Sequence, residues 1–298
     1  MKENKIQHND SIHWFPGHMK KAMNKMQEVL KLVDFVIEVL DSRIPLSSQN
    51  EYVERLISSK PRLFVLTKSD LSDEIETKKW IDYFNQNGNK AIAINLKDNK
   101  SYNLISKKIA EFCEEKSQKY KKKGIKNVTT RAMIVGIPNV GKSTLINYLA
   151  KKSVTQVANK PGLTRNIRWV KLDKVELLDT PGILEPQFEN KVKALNLALI
   201  GSIKDTILPK DVVVEGTISF LKKYYSAAFK NRFSLENLDI SNEEILVLIA
   251  KKRGFIVKNN ELDLDKSIEI LLNEFKNGKI CNYTIERVED VRLWRSIL

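Results

Sequence analysis

The stretch Gly136-Ile-Pro-Asn-Val-Gly-Lys-Ser-Thr144 holds the residues best spaced for phosphate chemistry. Its glycines allow successive backbone N–H groups to curl around a phosphate, and a helix predicted to open at Lys142 adds its positive end. The candidate phosphate-binding residues are therefore Asn139, Val140, Gly141, Lys142, Ser143 and Thr144. Lys142 brings a point charge to the terminal phosphates, and Ser143 offers a hydroxyl ligand for Mg²⁺. Asp179-Thr-Pro-Gly182 ends another apolar run. Its carboxylate can hold the same metal through water, and the Gly182 N–H can reach a γ-phosphate. Between the two lies Lys160-Pro-Gly-Leu-Thr164-Arg165, where Thr164 is the candidate second protein ligand of Mg²⁺.

A base reader is also visible. Thr67-Lys68-Ser69-Asp70 follows an apolar run, at the kind of strand end where open α/β sheets place their ligands. The Asp70 carboxylate can accept two hydrogen bonds from guanine N1–H and the 2-amino group, a pair that adenine lacks. The candidate base-binding residues are Thr67, Lys68 and Asp70, with Asn95 and Leu96 after the next apolar run placed to reach the guanine oxygen. GTP and GDP are the expected ligands.

These residues need a sheet to hold them. Short β-branched runs occur at 33–40, 63–66, 91–94 and 132–135, and 167–172 with 175–178 reads as a hairpin about Asp173-Lys174. Helical spacing falls between them at 19–32, 50–58, 75–85, 104–115 and 142–150. That alternation predicts an α/β fold around a mostly parallel sheet covered on both faces. After about Pro186 the pattern becomes helical only, at 188–201, 210–226, 242–252 and 265–276. The expected organisation is an α/β domain over 11–186 and a smaller all-helical domain over 187–298. Phe220, Tyr224, Tyr225, Phe229 and Phe233 recur at roughly helical spacing and read as core.

Composition bounds the partners. The 298 residues hold 51 Lys plus Arg against 37 Asp plus Glu, a formal charge of +14. Residues 206–298 carry 15 basic and 14 acidic side chains, so nearly all the excess lies earlier in the chain. Lys116, Lys119, Lys121, Lys122, Lys123, Lys126 and Arg131 form a run without an acid, either a solvated linker or a phosphate-contacting segment. Lys222-Lys223, Lys230 with Arg232, and Lys251-Lys-Arg253 are smaller basic clusters in the helical part. Two cysteines, Cys113 and Cys281, exclude a disulfide framework. No apolar run reaches bilayer length, and the first ten residues lack the apolar core of a signal peptide. A reducing aqueous compartment and no membrane are expected.

The order of the motifs is unusual: the base-reading pieces precede the phosphate-binding pieces, whereas ordinary GTPases begin with the phosphate loop. In this the sequence resembles the circularly permuted GTPases, and among them the ribosome biogenesis GTPase A (YlqF) family. The resemblance spans nearly the whole chain through Trp14-Phe-Pro-Gly-His18-Met19, Asp41-Ser-Arg-Ile-Pro45, Gly136–Thr144, Asp179-Thr-Pro-Gly-Ile183 and Gly201-Ser-Ile-Lys-Asp205. It implies a P-loop GTPase domain in permuted order with a helical C-terminal domain that docks on ribosomal RNA. The implied activity is Mg²⁺-dependent hydrolysis of GTP on the maturing large ribosomal subunit. The implied place is the bacterial cytoplasm or a bacterially derived organelle, with the protein a monomer off the ribosome. The family's base motif reads Asn-Lys-x-Asp, and Thr67 replaces the Asn, which predicts a lost brace on the nucleotide loop and weaker binding.

Where many GTPases carry a water-orienting glutamine after Asp-x-x-Gly, this chain has Ile183, which cannot hydrogen-bond. His18 can orient or deprotonate water near neutral pH, and the resemblance points to it as the catalytic residue; a capping or packing histidine is the alternative. The resemblance also suggests that Asn139 holds a K⁺ beside the phosphates, against a simple turn-forming role. Two other functional classes stay open: an RNA-binding assembly factor with a non-catalytic GTP pocket, and a permuted GTPase acting on the small subunit.

Overall fold

Strand β2 (Phe35–Asp41) is buried at all seven positions. A strand without an exposed face must lie between two layers, and its Val, Ile and Phe side chains fill both. In the computed structural model, which describes residues 12–13, 17–125, 128–152, 168–172, 175–184, 187–188, 190–203 and 207–291, β2 lies inside a six-stranded sheet. Its neighbours are β3 (Arg62–Thr67), β4 (Lys90–Ala93), β5 (Thr130–Val135), β6 (Arg168–Lys171) and β7 (Val175–Asp179), in the order β4-β3-β2-β5-β7-β6. All pairings are parallel except β6 with β7, an antiparallel pair at one edge. The expected hairpin is therefore present, although its turn at Asp173-Lys174 lies outside the described residues. A separate two-stranded ladder joins β1 (Ile12–His13) to β8 (Gln187–Phe188).

Helices cover both faces. On one, α4 (Lys100–Lys121) and α5 (Lys142–Lys152) enclose Ile37, Val39, Ile134 and Leu177. On the other, α1 (Gly17–Val29) and α2 (Glu51–Ile57) cover Val36, Met133 and Leu178, and α3 (Glu74–Gln86) packs Trp80 and Phe84 on Leu40, Phe64 and Leu66. Asn50 and Asp73 cap α2 and α3 by accepting two backbone N–H groups each, contacts typically worth about 1 kcal/mol per cap. Helix α4 runs six residues past the expected end, so Lys116, Lys119 and Lys121 stand on a helix and not on a linker. Lys116 ties that helix to the sheet by donating to Asp34 Oδ2 at 2.7 Å and to the Thr129 carbonyl at 2.7 Å.

The rest is helical: α6 (Lys191–Leu199), α7 (Lys210–Tyr224), α8 (Ser226–Phe233), α9 (Asn242–Arg253) and α10 (Leu264–Lys276). A capping box of Ser241 and Glu244 starts α9, and Gly254 in the left-handed region ends it. Phe220, Phe229 and Phe233 are core, as expected. Tyr224 is not: it is 38% exposed, with the Arg287 guanidinium 5.0 Å above its ring. The apolar cluster under α4 and α5 continues without a break into Leu197, Ile218, Ile249 and Phe275. Beyond α10 the chain turns back onto the sheet layer. Tyr283 N–H donates to the Leu71 carbonyl at 3.0 Å, Ile285 N–H to that of Arg43 at 2.8 Å, and the Trp80 indole to that of Glu286 at 2.8 Å.

Candidate nucleotide-binding site

Five parallel strands deliver their C-terminal ends to one edge of the sheet, and those ends carry the residues with the right chemistry. Asp41 closes β2, Thr67–Asp70 follows β3, Asn95 follows β4, Gly136–Ser143 follows β5 and Asp179–Gly182 follows β7. From β2 the chain proceeds outward to β3 and β4, while β5 starts on its other side and leads to β7. Strand order reverses there, which opens a crevice of the kind ligands use in open α/β sheets.

The loop after β5 has the backbone a phosphate cradle needs. Gly136 has φ +149°, and a Cβ there would lie 2.5 Å from the Val39 carbonyl oxygen. Gly141, at φ +98°, turns the chain into α5, whose first Lys142 side chain is buried. The Lys142 ammonium donates to the Ile137 carbonyl at 2.7 Å. Burial pushes its pKa down to about 8 against the opposing pull of Asp179. Gly182 presses against the same loop: a Cβ at 182 would stand 2.9 Å from the Lys142 Nζ and from the Pro138 nitrogen. The two motifs, about forty residues apart in sequence, are thus brought together.

The candidate base-binding residues meet this loop from the other side. A Cβ at Gly141 would contact Leu96 Cδ1 at 3.6 Å and Thr67 Oγ1 at 3.7 Å, so three predicted residues converge. Thr67 corrects the sequence expectation. Its hydroxyl lies 2.5 Å from the Val140 carbonyl and 3.0 Å from that of Leu40, so the brace between base loop and phosphate loop is retained. The hydroxyl makes the link from a shorter reach than an amide because β3 and the phosphate loop are held close by β2. Asp70 stands at the mouth, its carboxylate paired with Lys97 at 2.8 Å; Lys97 is 79% exposed, so a base can displace it at little cost. Asn95 spends its side-chain oxygen on the Lys97 N–H of its own turn at 2.9 Å.

Ser143 and Thr144 are exposed on the first turn of α5, and Asp179 is buried at the end of β7. A hydroxyl and a carboxylate are the hard oxygen donors that Mg²⁺ prefers, and Gly182, where a Cβ would meet the Lys142 Nζ at 2.9 Å, keeps the Asp179 turn close against the phosphate loop, so the donor set fits the ion. Thr164 lies outside the described residues. His18 is the second residue of α1, and its side chain lies outside them too. Ile183 is buried among Met26, Val36 and Leu178, turned away from the phosphate loop, so it has no role toward water. The Asn139 amide, in the left-handed region at φ +64°, donates to the Gly201 carbonyl at 3.3 Å.

Sequence reading missed one cluster. Asp41 and Arg43 are fully buried and paired, Arg43 Nε to Oδ1 at 2.9 Å and Nη2 to Oδ2 at 2.8 Å. Lys68 adds a second ion pair to Asp41 Oδ2 at 2.9 Å. Burial alone would raise the Asp41 carboxyl, but the two cations outweigh it and hold it well below the usual range. The only signal for it was Asp41-Ser-Arg-Ile-Pro45 in the family resemblance.

Comparison with known proteins agrees with this geometry. Residues 131–252 match the family described as 50S ribosome-binding GTPase. The chain is 44% identical to ribosome biogenesis GTPase A of Bacillus cereus, over 94% of this chain and 95% of that one. It is 33% identical to mitochondrial ribosome-associated GTPase 1 of Xenopus tropicalis, over 81% of this chain and 80% of that one. Two solved structures of YlqF from Thermotoga maritima, each 28% identical, share the fold. The GDP-bound one has a TM-score of 0.64 and covers 89% of this chain and all of its own. The GNP-bound one has a TM-score of 0.63 and covers 90% of this chain and 98% of its own. A phosphate loop, a base loop and an Asp-x-x-Gly turn gathered at one sheet edge in permuted order, with identity sustained along nearly the full length, identify the chain as a member of the ribosome biogenesis GTPase A family.

Proposed function

We propose that the protein is a GTP-hydrolysing assembly factor for the large ribosomal subunit, holding the precursor in its GTP state and leaving after hydrolysis. The observation that carries this reading is the convergence of the base, phosphate and Asp-x-x-Gly motifs on one edge of the sheet in permuted order. Asp70 selects guanine, with Thr67, Lys68, Asn95 and Leu96 around the base. Lys142 and the loop from Asn139 to Thr144 bind the phosphates, and the Gly182 N–H senses the last of them. Ser143, Asp179 and Thr164 hold Mg²⁺, which when bound neutralises charge on the phosphates. His18 orients the attacking water and takes its proton. The β1–β8 ladder supports this role, because it lays the segment before His18 beside residues 187–188, shortly after Gly182. A K⁺ held by Asn139 is a further element of the proposal.

A basic surface supports an RNA partner. Lys119, Lys121, Lys122 and Lys123 are exposed at the end of α4, with Tyr120 lying 5.9 Å from Lys123. Arg131 stacks on Trp169, which is 37% exposed. In the helical part Arg232 and Arg253 share Glu274, while Lys251 and Lys252 beside them are exposed, as are Lys223, Lys258, Lys266 and Lys279. No helix among the described residues is long and apolar enough to cross a membrane. A monomer in the bacterial cytoplasm completes the proposal, with residues 11–186 as the GTPase domain and 187–298 as the RNA-docking one.

The test is GTP turnover with purified subunits. Large subunits should stimulate it, small ones should not, and His18→Ala should lower the stimulated rate about 10²-fold while GTP binding persists. No stimulation by either subunit would favour the passive assembly factor. Stimulation by small subunits alone would move the site of action.

A further inference from the structure

The Asp41–Arg43 pair faces two ways. Toward the site, Asp41 Oδ2 holds the Lys68 ammonium at 2.9 Å, and Lys68 sits in the left-handed region at φ +57°, two residues before Asp70. Toward the C-terminal segment, Arg43 Nη1 donates to the Tyr283 hydroxyl at 3.1 Å and to the Lys276 carbonyl at 2.8 Å. Tyr283 is fully buried, stacked on Phe275 with ring centroids 4.1 Å apart. The backbone repeats the connection. Tyr283 N–H donates to the carbonyl of Leu71, which follows Asp70, and Ile285 N–H donates to the carbonyl of Arg43. One side-chain chain, Lys68–Asp41–Arg43–Tyr283, thus runs from the base loop into the segment after α10. Its last member, Tyr283, lies 240 residues from Arg43 in sequence.

A left-handed lysine backbone costs conformational energy unless its surroundings hold it. The Asp41 contact provides such a hold at one point, and the Leu71 carbonyl provides a second three residues later. Asp41 in turn keeps its charge in a dry environment because Arg43 pairs with it in bidentate fashion and Lys68 adds a second cation. Arg43 has little room to move, since Nη1 donates twice to the C-terminal segment and Nη2 also reaches the Ile200 carbonyl at 3.5 Å. A shift of residues 276–285 therefore reaches Lys68 through groups already in contact. Two sites that bias one arrangement must bias each other equally.

We propose that Asp41, Arg43 and Tyr283 are positioning residues for guanine recognition: they fix Lys68 and the loop to Asp70, and so couple the base site to the seating of the segment after α10. This rests on the guanine-loop reading above and deepens it. Neither Asp41 nor Arg43 touches the nucleotide in this account. They act through Lys68, and the base is bound well only when the C-terminal segment is seated.

The test removes one hydroxyl, because deleting either member of a buried ion pair strongly destabilises a fold. Dissociation of a fluorescent GDP analogue is timed by stopped flow from the full chain, from Tyr283→Phe, from Lys68→Ala and from the double variant. Tyr283→Phe should speed dissociation about threefold or more, in the range of coupled neighbours. In the Lys68→Ala background it should add nothing, since the relay already ends there. No effect in the wild-type background, or the same factor in both backgrounds, would overturn the proposal and leave Tyr283 as core packing. Should Tyr283→Phe fail to fold, hydrogen exchange on the wild-type chain decides. GDP should slow exchange at the Tyr283 and Ile285 amides while leaving those of α9 unchanged, and unchanged rates at 283 and 285 would refute the coupling. Failure of the underlying reading looks different: the wild-type chain would then bind the GDP and ADP analogues equally well.

Discussion

Lys142 is where protonation and ligand binding meet. Its pKa of about 8 lies below the 10.5 of an exposed lysine, with burial as the cause. Between those values the unfolded chain binds more protons than the folded one, so the folded protein gains stability as pH rises from about 8 towards 10.5. Phosphate reverses the preference because it favours the charged ammonium. Binding of GTP above pH 8 should therefore take up close to one proton, and affinity should fall with rising pH. Titration calorimetry in buffers of different ionisation enthalpy measures this directly, and a binding enthalpy independent of buffer would contradict it. Asp70→Asn tests the other end of the nucleotide. Replacing two acceptors by one acceptor and one donor should shift preference from guanine to xanthine nucleotides, read by competition with XTP. The residue types at both ends were legible in the sequence because each needs only local context, a strand before and a turn or helix after. Thr67 was not. Whether a hydroxyl can do the work of an amide depends on how near β3 brings it to Val140, a distance no spacing reveals.

At the scale of elements, alternating apolar runs and helical stretches foretold the sheet and its helices, and the boundaries moved where tertiary contacts extend an element. Asp41 joins β2 because it pairs in register with Thr67, and α4 outlasts its apolar stripe because Lys116 is anchored to Asp34. The return of the C-terminal segment was invisible, since no local pattern marks Glu286 as buried. Its carboxylate accepts the Leu46 and Ser47 N–H groups at 2.6 and 2.9 Å and the Ser47 hydroxyl, and Asn196 of α6 donates to it at 3.3 Å. Burial raises this carboxyl although every one of those donors opposes the shift. Glu286→Ala leaves two buried N–H groups without an acceptor, at about 1–3 kcal/mol each. Chemical denaturation should register a loss of about 2–5 kcal/mol for that variant. Glu286→Gln, which keeps one acceptor, should lose clearly less. Equal losses would mean that one acceptor does not suffice and that both carboxylate oxygens are required.

At the scale of the whole molecule, the permuted order has a structural consequence. Asp179-Thr-Pro-Gly182 is the last of the candidate nucleotide motifs, and α6 begins at Lys191, so the turn proposed to sense phosphate stands shortly before the helical part. Asn139 of the phosphate loop also touches the Gly201 carbonyl just after α6. A γ-phosphate that draws Gly182 and the phosphate loop into one arrangement therefore acts on both sides of α6. Ordering of such a loop is a known route from hydrolysis to a distant surface. By linkage, a ribosomal partner that prefers the GTP arrangement must tighten GTP binding by the same factor. The exposed lysines at the end of α4 should make binding weaken with salt in either nucleotide state. The most direct test is cosedimentation with purified large ribosomal subunits at one fixed salt concentration, with a non-hydrolysable GTP analogue or with GDP. Binding should be about 5–150-fold tighter with the analogue; equal affinity in the two states would contradict a nucleotide-timed assembly factor.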